Sequence, residues 1–124
     1  MRIFAYMKRP IIPNNGRIIE AVARRFRVLG DPQRLRILQL LESGEKTVGS
    51  LAALLAANQP NVSRHLQALF SSGLVERRKS GSRVTYSVSD PAVFELCRLV
   101  CSDVVEQARA DMAELAAAEY RPKT

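Results

Sequence analysis

Thr47–Gly73 reads TVGSLAALLAANQPNVSRHLQALFSSG, and this stretch decides the fold. Thr47 can cap a short helix, Val48 to Ala56, with Leu51, Leu54 and Leu55 expected to face inward. The connection Ala57-Asn58-Gln59 is brief, and a second helix runs from Pro60 to Ser72, where Gly73 ends it. At about 100° per residue, Val62, Leu66, Leu69 and Phe70 gather on one arc of this helix. Asn61, Arg64, Gln67 and Ala68 lie on the far side, and Pro60 and Ser63 flank the helix start. Two short helices joined by so tight a turn form a helix-turn-helix pattern.

Beyond Gly73 the hydrophobic period changes from helical to alternating. Leu74 to Lys79 reads as a strand, Ser80-Gly81-Ser82 as a hairpin turn, and Arg83 to Val88 as the returning strand. On the other side, Asp31-Pro32 opens a helix that Ser43-Gly44 closes, because Asp can cap free N–H groups and proline is tolerated in the first turn. Leu35, Ile37, Leu38, Leu40 and Leu41 are expected to give it a broad buried face. Before it, Gly16 to Leu29 reads as a helix with Ile18, Val22, Phe26 and Leu29 on one stripe. After the hairpin, Asp90-Pro91 launches a last long helix to about Ala118. The order α-α-α-α-β-β-α predicts a mainly α (α+β) winged helix-turn-helix. The expected organisation is an N-terminal extension over 1–15, one domain over 16–118 and a tail over 119–124.

Composition agrees with one folded domain. The chain has 124 residues, 47% apolar and 25% charged, which excludes a disordered segment. No apolar run is long enough for a membrane span. Met1 to Pro13 carries Arg2, Lys8 and Arg9 and lacks the pattern of a secretory signal, and the chain has two cysteines. These features predict a cytoplasmic protein with free thiols.

Net charge is +7, and it is unevenly spread. The body through Ser89 carries 15 Lys and Arg against 5 Asp and Glu, whereas the last helix and tail, from Asp90 on, carry 4 against 7 and are mildly acidic. Such a division fits a polyanion partner for the body alone. The outward face of the second short helix holds no carboxylate, as a helix entering the major groove requires. Arg64 suits guanine, Asn61 and Gln67 suit adenine, and Gln59, Ser63 and His65 can contribute at the helix start or to phosphate. Arg77, Arg78, Lys79, Ser82 and Arg83 surround the hairpin turn and would grip phosphates or a minor groove. Enzyme chemistry has no support, since no nucleophile–base set, phosphate-binding glycine loop or carboxylate pair is present.

These motifs resemble those of the ArsR/SmtB family of bacterial repressors. Leu29-Gly30-Asp31-Pro32-Gln33-Arg34-Leu35-Arg36-Ile37-Leu38 resembles its second-helix signature. Gln59-Pro60-Asn61-Val62-Ser63-Arg64-His65-Leu66-Gln67-Ala68-Leu69 resembles its recognition helix, and Gly73-Leu74-Val75 with Arg77, Arg78, Gly81 and Tyr86 resembles its wing. The resemblance covers roughly residues 18–110. It implies a homodimer formed through the first and last helices, bound to an inverted-repeat operator in double-stranded DNA and released by an effector. No cofactor is implied for DNA binding itself.

Dimerisation also has a physical basis. Val93, Cys97, Val100, Cys101, Val104, Ala108 and Leu115 share one side of the last helix, a long apolar stripe that a small body cannot cover. Ile18 and Val22 of the first helix and Val93, Val100 and Val104 of the last are the expected dimer residues. For the effector, Thr47 and Gly49 stand where the family's arsenic sensors carry third-helix cysteines, and the single histidine, His65, cannot form the last-helix zinc pattern. Cys97 and Cys101 remain. Four residues apart, they share one helical face, and two such helices across a dimer axis could gather four thiolates around arsenite, antimonite or a soft divalent ion. The alternative is that both are small apolar residues of the stripe, or respond to oxidation.

Overall fold

The computed structural model describes residues 10–119. Most of the expected extension 1–15, and the expected tail beyond Glu119, lie outside these residues. Among the described residues, five helices and one hairpin follow the expected order, and the chain divides into a unit ending at Asp90 and a second unit starting at Pro91.

Helix α1 (Gly16–Leu29) begins at Asn15, whose side chain accepts from the N–H groups of Arg17 (2.9 Å) and Ile18 (3.4 Å). Leu29 is buried and Val22 half-buried, while Ile18, Ile19 and Phe26 are exposed. Helix α2 (Pro32–Leu41) is capped by Asp31, which accepts from Gln33 N (2.9 Å) and Arg34 N (3.1 Å). The bond from the Arg34 N–H is the main reason the Asp31 carboxyl titrates below its ordinary value. Ile37, Leu38 and Leu41 enter the core, but Leu35 is exposed, so the buried face is narrower than the sequence predicts.

Helix α3 (Val48–Leu55) is capped by the Thr47 hydroxyl, which accepts from Ser50 N at 3.1 Å. Leu51 and Ala52 are buried, whereas Leu54 is 58% exposed, against expectation. The helix buries an arc centred between Leu51 and Ala52, and at the helical repeat Leu54 falls about 110° from that centre. Ala56 then turns the chain at φ 51, a left-handed value unusual for a residue with a Cβ. Helix α4 (Gln59–Ser71) follows, and its cap is Asn58, whose side chain accepts from Asn61 N at 2.8 Å. Val62, Leu66 and Leu69 are fully buried where α4 meets α2, α3 and the first strand, and Phe70 is half-buried.

Arg25 of α1 reaches the end of α4, its Nε donating to the Ser72 carbonyl at 2.9 Å. Gly73 turns out of the helix at φ +79, and a Cβ there would lie 2.9 Å from Arg25 Nη2. Gly73→Ala must therefore hold a left-handed backbone and displace the guanidinium that caps the helix. We expect it to lower stability by about 1–3 kcal/mol, read from the urea midpoint. An unchanged midpoint would show that neither constraint acts.

Strands β1 (Val75–Ser80) and β2 (Arg83–Val88) pair antiparallel from Val75↔Val88 to Ser80↔Arg83. The two-residue loop Gly81-Ser82 starts at φ +63, which glycine adopts without strain. A further pairing escapes the sequence reading. Lys46, between α2 and α3, bridges to Tyr86, with Lys46 N donating to Tyr86 O (3.0 Å) and Tyr86 N to Lys46 O (2.8 Å). β2 is thus flanked by β1 on one side and by this single residue on the other.

The second unit carries helix α5 (Ala92–Glu119). Val93 is buried, while Leu99, Val100, Val104, Val105, Met112 and Leu115 are exposed. Among the described residues, no helix is long and apolar enough to cross a membrane.

Candidate nucleic-acid interface

The reading face of α4 is built from the core outward. With Val62, Leu66 and Leu69 locked inside, the helical repeat turns Ser63, Arg64 and Gln67 to solvent and leaves Asn61 half-buried. The helix sequence QPNVSRHLQALFS contains no carboxylate. Arg64 donates from Nη2 to the Asn61 side-chain oxygen, one turn earlier. Gln67 Nε2 donates to Ser71 Oγ at 3.2 Å. Gln59 is exposed at the first turn, its amide close to Gly49 of α3. The polar groups suited to base edges are therefore on one side and loosely engaged with one another.

His65 is placed differently. It is half-buried, and its Nδ1 accepts from Arg34 Nε at 3.1 Å. Arg34 Nη1 also donates to Val28 O at 3.3 Å, so one guanidinium joins α1, α2 and α4. In this geometry the Nδ1 atom of His65 ties α4 to Arg34 of α2. Arg34 was not among the expected site residues, and only its place in the second-helix signature could have drawn notice to it.

The hairpin register sorts the wing cations. Directly paired residues share a face, so Arg77 (opposite Tyr86) and Lys79 (opposite Val84) lie on one side, and Arg78 (opposite Thr85) on the other. Ser80 pairs with Arg83, which puts Arg83 on the Arg78 side. Arg77 and Lys79 line a shallow recess with Val48, Val84 and Tyr86. The Arg77 guanidinium lies 4.5 Å from the centre of the Phe70 ring, a cation–π contact that ties the wing to the end of α4. Arg78 instead forms an ion pair with Glu45, which also accepts from Thr85 Oγ1 at 3.3 Å. Lys79, Ser82 and Arg83 are exposed. The strand alternation carried this division, but the sequence reading grouped the cations by proximity alone.

On α5, Cys97 is half-buried, and burial pushes its thiol pKa up; Cys101 is exposed. Among the described residues, no group of three or more His, Cys, Asp or Glu is arranged to hold a metal ion within one chain. Of the expected dimer residues, Ile18, Val100 and Val104 are exposed, Val22 is half-buried and Val93 is buried.

Comparison with known proteins agrees with this architecture. The profile of the family "Bacterial regulatory protein, arsR family" matches residues 31–77. The chain is 41% identical over 80 residues to the "Probable mercury resistance operon repressor" of Streptomyces lividans, covering 64% of this chain. It spans less than two thirds of that relative's length, at 64%. Among solved structures, it resembles the homodimeric winged helix-turn-helix DNA-binding domain of a possible ArsR-family regulator from Mycobacterium bovis. That match has a TM-score of 0.69 and 36% identity, and covers 76% of this chain and 87% of that one. The antimony-specific transcriptional repressor AntR matches with a TM-score of 0.67 and 28% identity, covering 82% of this chain and 91% of that one.

Proposed function

The chain belongs to the arsR family of bacterial regulatory proteins, and on that premise we propose that it is a cytoplasmic transcriptional repressor that binds an inverted-repeat operator as a homodimer. The observation that carries this reading is α4, whose exposed side offers Ser63, Arg64 and Gln67 without any carboxylate. The basic wing supplies phosphate contacts, with Lys79, Ser82 and Arg83 open to solvent. Two copies would present two reading helices, spaced for half-sites about 34–36 Å apart. The exposed apolar side chains of α5 and α1 are the surface that pairing would bury. A titration of the purified protein on the DNA upstream of its own gene should show saturable binding with two protomers per site. Binding no tighter than to mixed-sequence DNA would overturn the repressor reading.

The effector is a thiophilic ion such as arsenite, antimonite or a soft divalent ion, held by Cys97 and Cys101. The two thiols lie one turn apart on α5, and a symmetric pair of helices supplies the further ligands that one chain lacks. The names of two relatives, a mercury-resistance repressor and an antimony-specific repressor, support this class of ion. The raised pKa of Cys97 favours a second reading, in which its thiol stays protonated, the cysteines are packing residues and another signal acts. The two readings separate cleanly. Cys97→Ser with Cys101→Ser should leave DNA affinity intact and abolish ion-driven release, measured by DNA titration with and without arsenite, antimonite or cadmium. Full release of the double variant would eliminate the thiol site.

A further inference from the structure

We propose that Glu45 is a built-in competitor for the wing: its carboxylate engages Arg78 in the free protein, and so limits the phosphate grip of that arginine and the salt concentration the DNA complex tolerates. This rests on the DNA-binding reading given above.

Glu45 is held in place from two directions. Its backbone neighbour Lys46 is fixed to Tyr86 by two hydrogen bonds of 3.0 and 2.8 Å, so the segment carrying Glu45 is part of the sheet. Its side chain is fixed by division of labour between the two oxygens. Oε1 pairs with Arg78 Nη2, and Oε2 accepts from the Thr85 hydroxyl at 3.3 Å. Thr85 is buried, and the alternative acceptor for its hydroxyl, the Arg78 carbonyl, is further away at 3.5 Å. Withdrawing the carboxylate would thus weaken the hydrogen bonding of a buried group.

Arg78, in contrast, is open to a rival. Its side chain is 70% exposed and that of Glu45 41% exposed, so a phosphate can reach the guanidinium while the carboxylate stays beside it. An exposed pair of this kind adds little to folding stability. Its influence appears when a second anion seeks the same cation. An incoming phosphate must either draw Arg78 off Glu45 or bind with a fixed negative charge adjacent, and both reduce the net gain from counterion release. The expected result is a wing whose four cations count for fewer than four.

Glu45→Gln keeps an oxygen for Thr85 and removes the charge. Binding to a mixed-sequence duplex of about 30 base pairs, followed by fluorescence anisotropy across a salt series, should tighten roughly three- to tenfold. The slope of log K against log salt should steepen by up to about 0.9, the value of one added phosphate contact. In an Arg78→Ala background the same substitution should change neither. Glu45→Ala, which also deprives Thr85 of the nearer of its two acceptors, should show the same gain in affinity with a lower melting midpoint. An unchanged affinity and slope in Glu45→Gln would overturn the proposal. So would an equal gain in the Arg78→Ala background, since Glu45 would then act by general repulsion and not through Arg78. If the wild-type protein fails to bind the duplex even at low salt, the DNA-binding reading falls first and takes this proposal with it.

Discussion

Leu66→Ala is expected to destabilise the protein by about 2–5 kcal/mol. Leu66 is fully buried and sits between Val62 and Leu69 on the inner arc of α4, which packs on α2, α3 and β1. Truncation removes three buried carbons, a transfer loss of about 2.4 kcal/mol at about 0.8 kcal/mol each. The cavity adds to this, because Ile37, Leu38 and Leu51 are themselves fully buried on neighbouring elements and cannot readily collapse inward. A small domain is stable by only about 5–15 kcal/mol in total. Urea unfolding at fixed protein concentration measures the change, the concentration being held because dimerisation shifts apparent stability. A loss below about 1 kcal/mol would mean that α4 is not seated as described.

Arg64→Ala is expected to cost operator binding about 1–3 kcal/mol, a loss of roughly five- to 150-fold. The side chain is exposed, so the melting midpoint should hardly move. In the free protein the guanidinium is bonded to the Asn61 side chain. That bond limits the rotamers the arginine samples, and if Arg64 reads guanine as proposed, its transfer to the base would release Asn61 for a neighbouring adenine. The loss should therefore be larger on operator than on mixed-sequence DNA, as read from parallel titrations. Equal losses on both would reassign Arg64 to a phosphate contact, and no loss would remove it from the interface.

Much of this was legible in the sequence, and for identifiable reasons. Asp31-Pro32, Thr47 and the glycines at 30, 73 and 81 mark element ends through local chemistry, which needs no tertiary context. The inner arc of α4 was legible because thirteen residues give the helical period room to repeat. Helix α3 has only eight residues, and there the assignment of Leu54 to the core failed, since about two turns of pattern cannot fix the centre of the buried arc. Asn58 was read as linker although Asn is a favoured cap, because Pro60 drew the helix start one residue too late. The contacts between distant segments were not legible at all. The pairing of Arg34 with His65, of Arg25 with Ser72 and of Glu45 with Arg78 each joins residues more than thirty positions apart, and no periodicity announces them.

The Lys46–Tyr86 pairing turns the short segment after α2 into a ruler. Glu42 closes that helix and Lys46 must reach the middle of β2, so the intervening count of residues is set by geometry. One inserted residue would either strip both backbone bonds from Tyr86 or bring a different residue into the pair. In the second case the alternation of an extended chain would swing the neighbouring acid to the opposite face, away from Arg78. Exchange of wings between related repressors should then succeed only when this joint travels with the hairpin, and spacing as well as residue identity is what selection would have to preserve there.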